Sequence, residues 1–209
     1  MARKKSKKPR PRLTGICNSQ YWDKTSYKPW GLQKELQQQE LPNQEEISIL
    51  VSNIKEVRTK ALVVLLYLTA GRISEVCYHL KKKHLNLVYQ KGRSILLIRL
   101  KNVKHRKRHF KDLPIPVDKE DFLLEHLNQY LATKHPKDVL FNFGKTRAYQ
   151  IIRQATGWNN HWLRHLRATH LVLYHDFNEQ LLIKFMGWTN SLPAKHYMEL
   201  KWTDILDKY

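Results

Sequence analysis

Cysteine is nearly absent from this chain: Cys17 and Cys77 are the only two in 209 residues. Two isolated cysteines exclude a disulfide framework, and no Cys/His spacing suits a metal ion. Cys77 falls in an apolar helical pattern and reads as a small core residue, which suits a reducing compartment. Long apolar runs are also missing. The longest, Ala61–Ala70, is far too short to span a bilayer and predicts a buried helix. The opening MARKKSKKPRPR lacks the apolar stretch of a secretory signal. No internal repeat is visible. Acidic residues are scarce, with 18 Asp+Glu against 38 Lys+Arg and a net charge of +20. Such a surplus points to a polyanionic partner, and nucleic acid fits better than a membrane surface. The plainer alternatives are a solubility surplus or a ribosome-type binder.

Apolar residues make up 42% of the chain, enough for one domain with an arm, or two small domains. Residues 1–12 hold seven Lys/Arg and two prolines and read as a basic arm without fixed structure, within an arm of 1–40. Tyr21, Trp22, Tyr27 and Trp30 in that arm either stack on bases or dock on the domain; docking is the simpler reading. Asn43 with Glu45 and Glu46 opens a helix over 44–56. Helices follow over 57–70 and 73–82. Strands are expected at 84–89, 94–100 and 110–116, the first two joined by a Gln90–Arg93 turn. An amphipathic helix over 118–133, an extended piece over 139–143, and helices over 145–156, 160–175, 178–186 and 191–199 complete the domain. The fold class is mainly α with a small three-stranded antiparallel sheet (α+β). The domain is expected to run over 41–200, with a short tail, 201–209.

Four segments carry chemistry. They are Gly71-Arg72-Ile73-Ser74-Glu75, the very basic Lys101–Lys111, His161-Trp162-Leu163-Arg164-His165, and Gly187-Trp188 with Tyr197 nine positions after the tryptophan. Arginine presents a planar, permanently charged fork to phosphate oxygens. Such fixed donors, aimed at developing charge, stabilise a transition state by about 3 kcal/mol each. A tyrosine hydroxyl can attack phosphorus once its proton is shared, and it leaves well when the reaction reverses.

The arginine, histidine–arginine and tryptophan–tyrosine segments, in this order, resemble the catalytic motifs of the tyrosine recombinases, the phage-integrase family, over about residues 41–199. The resemblance implies the tyrosine recombinase catalytic-domain fold. It implies Tyr197 as the nucleophile that forms a 3′-phosphotyrosine and frees a 5′-hydroxyl. Arg72 and Arg164 would clamp the scissile phosphate, and His161 would assist proton transfer. Trp188 stands where most members have histidine and some have tryptophan. A lysine after the second strand would protonate the leaving oxygen; Lys101 matches best and Lys104 is its rival. Glu75 resembles the acidic residue that supports the first arginine. A tyrosyl ester conserves bond energy, so neither metal, ATP nor any other cofactor is expected.

Each residue also has a plainer reading. Arg72 could be a surface arginine at a helix start. Arg164 and His161 share a helix face and could form a solvated stripe with Arg167. Trp188 could be a core aromatic. Tyr197 competes with nine other tyrosines among the ten in the chain. His165 and His170 read as structural or supporting, and His196 as incidental. The six Lys/Arg and two His of the 101–111 loop could be a solvated charge run. Its functional reading is a hairpin tip on the DNA backbone, with Lys104, Arg106, Lys107 and Arg108 touching phosphates. Lys145 and Arg147, opening a helix, are further phosphate candidates.

The chain also departs from the family pattern. Only about 40 residues precede Leu41, too few and too polar for the helical core-binding domain of most relatives. The basic arm could replace part of that clamp, with salt-sensitive and unselective binding. Ala70-Gly71-Arg72 replaces the usual Gly-x-Arg, Trp162 stands where an acidic residue is common, and only 12 residues follow Tyr197. So short a tail makes exchange of a C-terminal segment between protomers doubtful, or leaves it to Trp202–Tyr209. The expected activity is site-specific recombination by a mobile-element integrase acting on double-stranded DNA. It would form a dimer on each site and a tetramer in synapsis, with an accessory bending or clamp partner as a further possibility and no membrane role. The expected location is the cytoplasmic nucleoid of a prokaryote or viral element. The competing readings are type IB topoisomerase-like nicking and closing, and a catalytically silent DNA-binding accessory protein.

Overall fold

The computed structural model describes residues 41–103 and 109–198. The expected arm, the 104–108 stretch of the basic loop and the expected tail lie outside the described residues. All the elements below belong to the unit running from Pro42 to Tyr209.

Helix α1 (Gln44–Asn53) begins with a capping box: the Asn43 side chain accepts from the Glu46 amide, and Glu46 accepts from the Asn43 amide. The sequence predicts this helix to 56, but Ile54 and Glu56 are extended and end it. Helix α2 (Val57–Thr69) is the centre of the domain. Every residue from Ala61 to Thr69 is buried, as its unbroken apolar run requires, and it packs on α1 and four later helices. Helix α3 (Ile73–His79) follows after a three-residue corner.

The sheet has order β1 (Leu85–Gln90), β2 (Arg93–Asn102), β3 (His109–Pro116), all antiparallel. Lys91 and Gly92 both take positive φ, the turn geometry a two-residue hairpin needs. Strand alternation then sorts the side chains. Ile98, Leu100, Leu113 and Ile115 are buried on one face, with Lys111 opposite Leu100 on that same face. Arg99 and Asp112 form an exposed 3.5 Å ion pair on the other face, where Lys101 lies opposite Phe110. Segment 139–143 is not a strand; it makes a single bridge, Lys81 to Val139.

Helices α4 (Val117–Ala132), α5 (Lys145–Thr156), α6 (Asn160–His175), α7 (Glu179–Met186) and α8 (Leu192–Met198) complete the described elements. Helix α5 ends at Gly157 and α7 at Gly187, both left-handed C-caps. No described helix is long and apolar enough to cross a membrane.

A buried ion network joins α4 to α6. Arg167 is 1% exposed and reaches Glu120 at 2.6 Å, while His175 lies 3.3 Å from the same oxygen. The Arg167 guanidinium also covers the Tyr67 ring, and Tyr67 shares a 2.8 Å hydrogen bond with His170. Burial, together with Arg167, pushes His170 down to about 4, so it stays neutral. Burial favours the protonated Glu120 carboxyl, but His175 and Arg167 outweigh it and hold its pKa below the usual value. The solvated Arg164–Arg167 stripe is thereby excluded, and His170 is structural as expected. Replacing Glu120 with glutamine strands the Arg167 charge in the interior. We expect a loss of about 3–5 kcal/mol, read by thermal unfolding. Unchanged stability would contradict the paired-charge account of this core.

Candidate active site

The corner between α2 and α3 is the foundation of the site. Ala70 adopts the left-handed conformation (φ 45°) and turns the chain out of α2. Gly71 then passes through a gap no side chain fits: a Cβ would lie 2.7 Å from Thr69 Oγ1 and 2.9 Å from Val76 Cγ2. In the Ala-Gly-Arg order, alanine takes the strained turn and glycine the close approach. Gly71→Ala is expected to cost about 1–3 kcal/mol through overpacking and to displace Arg72. Thermal unfolding checks this; a variant as stable as the parent would contradict it.

Three side chains from distant elements grip three successive carbonyls of this corner. Lys111 Nζ on β3 donates to Thr69 O at 3.3 Å, Arg164 Nη1 on α6 donates to Ala70 O, and Asn160 Nδ2 donates to Gly71 O at 3.4 Å. Two of those donors also hold the end of α7. Lys111 Nζ donates to Phe185 O at 3.3 Å and Arg164 Nη2 to Met186 O at 2.8 Å. The carbonyl ends of two helices, where the dipole is negative, thus converge on two cations. One consequence is placement: Arg72, Arg164 and Trp188 are fixed to one framework.

Arg72 caps α3 and is held by Glu75. The buried Glu75 carboxylate accepts from the Arg72 amide at 2.9 Å and from its guanidinium at 2.8 Å. Glu75 thus holds Arg72 through both its backbone and its guanidinium. Arg164 is 8% exposed, and burial, with repulsion from Arg72, lowers it to about 10. It still carries its charge at neutral pH.

Tyr197 on α8 completes the cluster. Its hydroxyl lies 2.8 Å from His165 Nδ1, and its ring stacks on Trp188 with centroids 5.8 Å apart and planes 19° apart. Burial pushes the phenol up to about 12, and Arg164 opposes that rise. Trp188 follows Gly187, whose left-handed φ of 68° lets the chain pass Asn102 and the Lys111 stem.

The structure brings Arg72, Arg164, Trp188 and Tyr197 together. His161 is exposed on the first turn of α6, one turn before His165. Lys101 sits on the sheet face opposite Lys111, beside His79. Lys104, Arg106, Lys107 and Arg108 lie outside the described residues. Lys145 and Arg147 are exposed at the start of α5. The Lys145 amide donates to the Tyr78 hydroxyl at 2.7 Å, and Arg147 lines an open groove of about 840 Å³ with Glu46, Ile49 and Phe143.

Sequence reasoning did not single out Lys111. Burial, followed by repulsion from Arg164, lowers its ammonium to about 7, with Glu75 opposing the fall. The signal was present: Lys111, Leu113 and Ile115 alternate, so the lysine continues a buried face. Asn160 was missed as well; it looks like an ordinary helix-start residue. His165 was read as supporting, yet it touches the candidate nucleophile.

Two guanidiniums, an ammonium and a tyrosine hydroxyl converge around one corner of a mixed α+β scaffold. The model of the phage integrase family matches residues 41–203, and the chain belongs to that family. Its fold is the tyrosine recombinase catalytic-domain fold. Solved structures agree on the fold. XerA recombinase matches with a TM-score of 0.56 at 20% identity, over 80% of this chain and 63% of that one. XerH site-specific recombinase, in a pre-cleavage complex with its difH substrate, matches with a TM-score of 0.52 at 18% identity, over 79% and 51%. The chain thus spans under two thirds of either recombinase. No curated relative matches the chain in sequence.

Proposed function

We propose that this chain is a site-specific DNA recombinase that cleaves and rejoins strands through a 3′-phosphotyrosine on Tyr197. The observation that carries this reading is the placement of the Tyr197 hydroxyl in the site organised by Arg164 and Arg72. In this reading double-stranded DNA is the substrate, and the chain acts as a dimer on each site and a tetramer in synapsis. The net charge of +20 supports a polyanionic substrate. Family membership and the structural likeness to XerA and XerH support recombination over simple DNA binding. Residues 1–40 serve as a basic arm on the backbone, and the 104–108 stretch contributes phosphate contacts.

Arg72 and Arg164 neutralise the nonbridging oxygens as charge develops on phosphorus. Tyr197 attacks, the bond to the 5′ oxygen breaks, and the 5′ oxygen takes up a proton. The phosphotyrosine stores the bond energy, so rejoining is the same step reversed.

The test is covalent trapping on suicide duplexes nicked near candidate sites, or on a random library, with chelator present. The expected result is a denaturation-resistant adduct that Tyr197→Phe abolishes. Recombinant products would separate recombination from nicking and closing. DNA retention with no adduct would overturn the catalytic reading in favour of an accessory binder.

A further inference from the structure

Proton transfer from the nucleophile has an unexpected candidate. The resemblance points to His161, but His161 is exposed, while His165 one turn later meets the tyrosine directly. His165 Nδ1 lies 2.8 Å from the Tyr197 hydroxyl, and the two ring centroids are 5.1 Å apart. We propose that His165 is the base that accepts the Tyr197 proton during strand cleavage and returns it during rejoining.

Three observations support this. First, the contact joins two elements, α6 and α8, across 32 positions of sequence, so it is a tertiary arrangement and not a neighbour effect. Second, the tyrosine is fixed on its other side by Trp188, at a 19° interplanar angle, which aims the hydroxyl instead of letting the ring rotate away. Third, His165 directly follows Arg164, whose guanidinium is anchored to the corner at Ala70 O and to the end of α7 at Met186 O, so the base and the phosphate clamp share one rigid helix turn. Burial makes the phenol harder to ionise, which raises the need for an acceptor in contact. Arg164 on the same helix acts on the Tyr197 phenol, and Arg72, Glu75 on α3 and Lys111 on β3 in turn act on Arg164.

The step balances. The phenolic oxygen bonds to phosphorus as the phosphorus–5′-oxygen bond breaks. The phenolic proton passes to His165 Nδ1, giving an imidazolium. The departing 5′ oxygen takes a proton from a lysine ammonium of the β2–β3 segment or from water. In rejoining, the 5′-hydroxyl attacks and returns its proton to that lysine or to water, while the phenoxide leaves and recovers its proton from the imidazolium.

This assignment rests on the recombinase reading, and the test separates the two. His165→Asn keeps a polar group near the Nδ1 position but cannot take a proton. On a nicked suicide duplex, the single-turnover adduct rate of the parent should rise with pH to a plateau across the imidazole range. His165→Asn should lose that limb and fall about 10²-fold or more. Fluorinated tyrosine at position 197, a more acidic phenol, should restore much of the loss. A 5′-bridging phosphorothiolate should not, because a thiolate leaves without being protonated and so relieves the loss of an acid, not the loss of a base. A parental rate and pH profile in His165→Asn, or rescue by the phosphorothiolate, would overturn the proposal. Nitrogen NMR of His165 in the full chain needs no substrate. An unprotonated Nδ1 that responds to Tyr197→Phe supports the acceptor role, and a protonated Nδ1 overturns it. Absence of any Tyr197 adduct in the parent would instead sink the recombinase reading.

Discussion

Replacing Arg164 with alanine is expected to slow formation of the covalent protein–DNA link by about 10²–10³-fold. The guanidinium is the most constrained cation of the site, donating to Ala70 O and Met186 O from a nearly enclosed position. Its remaining N–H groups supply fixed charge where the phosphate oxygens must gather theirs, with no reorganisation during reaction. The same substitution leaves two carbonyls without their donor in an interior where each lost partner costs about 1–3 kcal/mol. A fall in melting temperature should therefore accompany the loss of rate. Arg164→Lys separates the two effects. It keeps the charge but cannot form both bonds with one point-like ammonium, so it should remain folded and bind DNA while recovering little activity. Single-turnover trapping beside thermal unfolding reads both. A parental adduct rate in a folded Arg164→Ala protein would remove Arg164 from the clamp.

Lys111→Met should change how DNA affinity responds to pH. Burial and Arg164 hold the free protein's Lys111 at about 7, whereas an unperturbed lysine titrates near 10.4, roughly. Over most of that window the free site holds the lysine neutral. A phosphate beside it favours the ammonium and raises its pKa, so the complex binds a proton that the free protein lacks. Affinity then rises as pH falls from about 10 toward 7, by up to about tenfold per unit, and levels off below, where both states are protonated. Folding stability shows the opposite trend from the same cause. The unfolded chain binds the proton across this window and the folded chain does not, so Lys111 makes stability rise with pH between those values. In Lys111→Met both dependences should flatten. Retention assays from pH 6 to 10, at fixed ionic strength, decide the point. An unchanged pH dependence of affinity in the variant would show that Lys111 does not meet the phosphate.

Most of the architecture was legible from pattern alone. The run Ala61–Thr69 had to be a buried helix because it is apolar on every face, and Lys91-Gly92 had to turn because a glycine between two alternating segments accepts positive φ. Where the sequence reading missed, tertiary packing had decided. Helix α1 stops at Asn53 because Ile54 and Glu56 are extended, which local propensity does not announce. Arg167 looked like a surface cation one turn from Arg164; only the kink at Glu120 brings a carboxylate to it. Arg72, Arg164, Trp188 and Tyr197 were legible as candidates because their motifs lie on short, local helical segments. Lys111 was not found. Its importance comes from pairing opposite Leu100, and a loop full of lysines hides which one faces inward. His165 was visible as a residue, but its meeting with Tyr197 depends on how α8 folds back on α6, and no spacing encodes that.

The most direct measurement is the location of the covalent bond. The trapped adduct should be digested with protease and nuclease and its nucleotide-bearing peptide sequenced by mass spectrometry. A peptide carrying its 3′-nucleotide on Tyr197, with a free 5′-hydroxyl on the released strand, is what the geometry of Arg72, Arg164, His165 and Tyr197 predicts. A linkage through any other residue, or through a 5′-phosphate, would contradict it.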